Sequence, residues 1–113
     1  MKQYFISSAD RQGSCYYEFY VGTWDKKKMC CWHKDSICIT MYAWSATGFE
    51  ALVAEVVHKY DPYGYTAITK EQWDTILQRA NAAGGELLAA VSEAADWAKQ
   101  NFFRHKVFTI LGM

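Results

Sequence analysis

Hydrophobic positions change period along this chain. Up to Ala43 they cluster in short runs or alternate with polar residues, and from Thr47 they recur every three or four residues. The first pattern predicts strands and the second predicts helices. "QYFIS" (Gln3 to Ser7) is a short apolar run followed by the turn-like "ADRQGS". "CYYEFYVG" (Cys15 to Gly22) is rich in the aromatic residues that favour a pleated, half-buried surface. "MCCWH" (Met29 to His33) and "ICITMYA" (Ile37 to Ala43) are two further strand candidates. The gap between them, Lys34 to Ser36, is the size of a hairpin loop.

From Thr47 the apolar positions are Phe49, Leu52, Val53, Val56, Val57 and Tyr60, one stripe of a helix. Thr47 and Glu50 have capping-box spacing, and Glu55 and Lys59 have the order of a favourable i,i+4 pair. Pro62 disfavours helical geometry in the residue before it, so this helix is expected to end near Asp61. A second helix is expected from Thr69, again with a capping box (Thr69, Gln72) and a stripe of Trp73, Ile76, Leu77 and Ala80. Gly84 and Gly85 interrupt it. A third runs from about Glu86 to Arg104, with Leu87, Leu88, Val91, Ala94, Ala98 and Phe102 on one side. "VFTILGM" (Val107 to Met113) is β-branched and apolar, and reads as a last strand. The order β-β-β-β-α-α-α-β predicts an α+β fold. Its antiparallel sheet comes from the N-terminal half and the C-terminal strand, with three helices packed on one face.

Composition narrows the reading. A length of 113 residues suits one domain, 1–113, and 51% hydrophobic residues supply a core without need of a metal or disulfide. Lys+Arg and Asp+Glu balance at 12 each, which lacks the positive footprint of a nucleic-acid binder. No stretch approaches the roughly 20 apolar residues that span a bilayer, and Met1 to Cys15 has no apolar run of signal-peptide length. The expected location is the cytosol, where the four cysteines stay reduced.

The densest candidate chemistry is "MCCWHKDSICI". Cys30 and Cys31 are adjacent, so on a strand they point to opposite faces. Cys31, His33 and Cys38 could share one side as three ligands with an open position, the basis of an alternative reading as a small metal or redox enzyme. Paired zinc spacing is missing, and no third group marks Cys31 and His33 as nucleophile and base. The preferred reading is a hairpin whose cysteines act as small hydrophobes. His58 and His105 read as solvated surface. No catalytic residue, metal site or cofactor is expected.

What remains is tyrosine. "YDPYGYT" places Tyr60, Asp61, Tyr63 and Tyr65 in a turn. Tyrosine gives contact area at low entropic cost, with a hydroxyl to place. In "CYYEFYVG" alternation puts Tyr17, Phe19 and Val21 toward the core, and Tyr16, Glu18 and Tyr20 on an open, wettable face. These two places are the expected partner-binding surfaces. Asp25, Asp35, Glu71 and Asp74 read as caps or solvated ends.

The sheet-then-helix layout, "ITKEQWDTIL" (Ile68 to Leu77) and the ending "FTILGM" (Phe108 to Met113) resemble the small immunity proteins of bacterial polymorphic toxin systems. Those of contact-dependent growth inhibition are among them. The resemblance implies a non-enzymatic inhibitor that binds one cognate toxin domain, often a nuclease, and blocks its active site or an essential surface. Many such inhibitors are acidic, whereas this chain is neutral. Binding through a local acidic patch or largely through tyrosines is therefore implied. A homodimeric adaptor, associating through edge strands and aromatic faces, is the further alternative.

Overall fold

The computed structural model of the chain describes residues 3–25 and 32–112. Five strands form one antiparallel sheet: β1 (Phe5–Ser7), β2 (Tyr16–Tyr20), β3 (Ile37–Thr40), β4 (Tyr65–Thr69) and β5 (Val107–Leu111). Their order across the sheet is β1-β3-β2-β5-β4. Four helices complete the fold: α1 (Met41–Ala46), α2 (Phe49–Val56), α3 (Lys70–Ala83) and α4 (Gly85–Phe102). The architecture is the expected α+β class.

Register assigns the faces. Phe5 lies opposite Ile39 and Ile39 opposite Tyr17, while Phe19 lies opposite Ile110 and Ile68 opposite Phe108. All of these side chains are buried under the helices. Phe19 is the hub: its ring meets Phe5 at 5.1 Å, Phe108 at 5.3 Å, Phe49 at 5.7 Å and Trp44 at 5.8 Å. Mostly edge-to-face packing of this kind satisfies ring quadrupoles as well as removing area from water. β5 enters between β2 and β4, which explains why the chain ends on so apolar a run.

The opposite face of the sheet is covered by the chain itself. The Thr109 hydroxyl donates to Gly22 O at 2.8 Å and accepts from Trp24 N–H at 3.3 Å. Trp32 and His33 N–H groups reach Glu18 further along the same face.

Several expected elements differ. β3 pairs with β1 and β2, and Trp32 and His33 form no strand, so the described part of "MCCWHKDSICI" does not form the expected hairpin. Met29, Cys30 and Cys31 lie outside the described residues. "ICITMYA" is half strand and half helix, because Thr40 caps α1: its hydroxyl accepts from Ala43 N–H at 3.1 Å. Thr47 makes no capping box with Glu50. It closes α1, with its hydroxyl donating to Ala43 O, and Gly48 starts α2 at φ 88°, a left-handed conformation that suits glycine. α2 stops at Val56, so Lys59 is beyond it and Glu55 pairs with Arg79 of α3 instead. The Thr69–Gln72 capping box forms in full and starts α3 as expected.

Candidate protein-binding face

The turn between α2 and β4 is built rigidly. The Asp61 carboxylate accepts from Tyr63 N–H at 2.9 Å, and Asp61 N–H donates to the Thr66 hydroxyl at 3.0 Å. The Tyr17 hydroxyl donates to Pro62 O at 3.2 Å, and Gly112 N–H donates to Gly64 O at 2.6 Å. A side chain on Gly112 would run into the Pro62 carbonyl, so β5 and the turn meet backbone to backbone. On this scaffold Tyr63 is 83% exposed and Tyr65 is 50% exposed. The Tyr65 ring leans on Trp24, centroids 4.9 Å apart.

Tyr60 has a different role from its neighbours. Its hydroxyl accepts from Trp44 Nε1 at 2.9 Å and donates to Glu50 Oε2 at 2.7 Å. Burial raises its pKa well above the ordinary phenol range; the nearby Glu50 carboxylate, which accepts its proton, adds to this, while the Trp44 bond works the other way. The Tyr17 hydroxyl is raised too, by burial first and Glu50 second. Tyr60 is therefore a packing tyrosine that anchors the start of the turn, and Asp61 is spent within the turn.

The second expected surface is not open. Glu18 is 1% exposed. Its two oxygens accept from Trp32 N–H at 2.7 Å and His33 N–H at 2.9 Å. Trp32 has φ 59°, and consecutive N–H groups around a left-handed residue form a small anion-binding concavity. The carboxylate is thus an internal clasp holding the chain across the sheet. Tyr16 and Tyr20 are only partly exposed, Tyr16 accepting from Gln12 N–H and Tyr20 meeting the His33 ring at 5.5 Å. Alternation correctly separated the two faces, but the acid's partners lie fourteen and fifteen residues away, beyond any local pattern.

The cysteine and histidine positions are also occupied structurally. His33 Nδ1 accepts from Asp35 N–H at 3.1 Å. Cys38 is fully buried beside Glu18, and burial, with the Glu18 charge second, pushes its thiol up to about 12. Cys15 is exposed. Among the described residues no group of three His, Cys, Asp or Glu side chains could hold a metal ion.

A groove of about 500 Å³ runs along the outer side of β4. Val56, Val57, His58 and Lys59 line it together with Trp24 and Tyr65. Sequence reasoning missed this groove. The available signal was Trp24, an aromatic residue stranded in a charged connection.

No helix among the described residues is long and apolar enough to cross a membrane. No family model, no curated protein and no solved structure matches this chain.

Proposed function

We propose that this chain is an immunity protein, which binds a cognate toxin domain and neutralises it by covering its active site or an essential surface. The observation that carries the reading is the pair Tyr63 and Tyr65, the first exposed on a turn that hydrogen bonds hold in place and the second exposed where β4 begins. Preorganised aromatic rings beside an apolar groove are what a protein interface uses as anchors. The groove lining carries Lys59 and no carboxylate, which favours an apolar contact over an acidic one there. Tyr60 and Asp61 support the turn from within, and Glu18, Tyr16 and Tyr20 lie on the covered side of the sheet.

Co-expression with the protein encoded immediately upstream tests the reading. Rescue of cells from that protein's toxicity, with a one-to-one complex by calorimetry, is the expected result. Neither rescue nor binding would overturn it.

A further inference from the structure

Gly112 N–H donates to Gly64 O, and Tyr65 lies opposite Leu111, so Gly64 and Gly112 are a hydrogen-bonded pair of the β4–β5 ladder. In an antiparallel ladder such pairs alternate with non-bonded ones. Thr66 and Ile68 therefore bond inward, to Ile110 and Phe108. The backbone N–H and C=O of Tyr65 and Ala67 point away from the sheet, along the groove. β4 is the last strand on that side; no strand among the described residues pairs with its outer edge, where Gln72 Oε1 accepts from Thr69 N–H alone.

From this edge, and resting on the reading above, we infer that β4 binds its partner by strand addition. An extended segment of the toxin domain lies antiparallel in the groove and bonds to Tyr65 and Ala67. Its alternate side chains are apolar, one set meeting Val56 and Val57 and the other meeting Trp24 and Tyr65. A carboxylate of that segment sits at the Lys59 end, because Lys59 is the one charged side chain in the groove lining.

The test is Ala67→Pro in the full chain. Its N–H points outward, so proline removes the donor that the partner needs while sparing the β4–β5 ladder. With the upstream-encoded protein in the calorimeter, affinity should fall about tenfold or more, the cost of a lost interface hydrogen bond and a ring in the groove. Lys59→Glu, which leaves the edge untouched, should weaken binding by about threefold to tenfold and steepen with lower salt. Should Ala67→Pro fail to fold, Lys59→Glu carries the test. Tight wild-type binding that neither substitution weakens would overturn strand addition while leaving the proposed function standing. Absence of wild-type binding would instead overturn the proposed function, and strand addition with it.

Discussion

The two edges of the sheet are treated in opposite ways. At β1, the Glu93 carboxylate of α4 accepts from Tyr4 N–H at 2.8 Å and Phe5 N–H at 3.0 Å, and the Tyr4 hydroxyl donates to Glu86 at 3.2 Å. The strand is short and turns at once into a 3-10 turn, Ser8–Asp10. At β4 the outward groups of Tyr65 and Ala67 meet no described side chain, and two exposed tyrosines stand beside them. Proteins blunt exposed edges against unwanted pairing. A carboxylate covers backbone donors at the first edge, and under the proposed function the second edge, beside its aromatic groove, is the one offered to a partner.

Substitutions can break or sharpen this contrast. The largest effect is expected at the guarded edge. Glu93→Ala leaves two backbone N–H groups without their acceptor and should cost about 2–3 kcal/mol in urea unfolding. It should also promote self-association by sedimentation, with β1 newly available. At the open edge the cost should fall on binding instead. Tyr65→Ala should weaken the complex by about 2 kcal/mol, roughly thirtyfold in Kd by calorimetry. Tyr60→Phe separates anchor from contact: Trp44 Nε1 loses its acceptor, so stability should drop by about 1–2 kcal/mol while rings at the surface stay in place. The smallest effect is Tyr63→Ala on stability, within about 0.5 kcal/mol by thermal melting, since the ring is almost wholly in solvent. A Tyr63→Ala protein that melts far below wild type would show that the ring packs.

Local chemistry made part of this structure legible in advance. The Thr69–Gln72 box, the Gly84–Gly85 break and the apolar run from Val107 each act within a few residues, and each stands where expected. β4 escaped notice although "YTAIT" alternates strictly, because it runs straight into the capping box of α3 and has just two buried side chains, Thr66 and Ile68. α1 escaped because Thr40 is both the end of a strand and the cap of a helix. Of the expected site, Tyr63 and Tyr65 are at the surface, and Tyr60 and Glu18 turned inward. Nothing local separates a tyrosine that donates to Glu50 from one that faces water, since the distinction rests on Trp44, brought close by the fold. Gly112 shows the same dependence: its closeness to Pro62 exists only once β5 has entered the sheet.

Amide hydrogen exchange on the full chain, free and with the upstream-encoded protein, tests the contrast between the edges most directly. In the free chain Phe5 should be protected through Glu93, and Tyr65 and Ala67 should exchange quickly. In the complex Tyr65 and Ala67 should become protected while Phe5 is unchanged. Protection gained at β1 or along α4, with Tyr65 and Ala67 still exchanging quickly, would contradict the account and place the interface elsewhere.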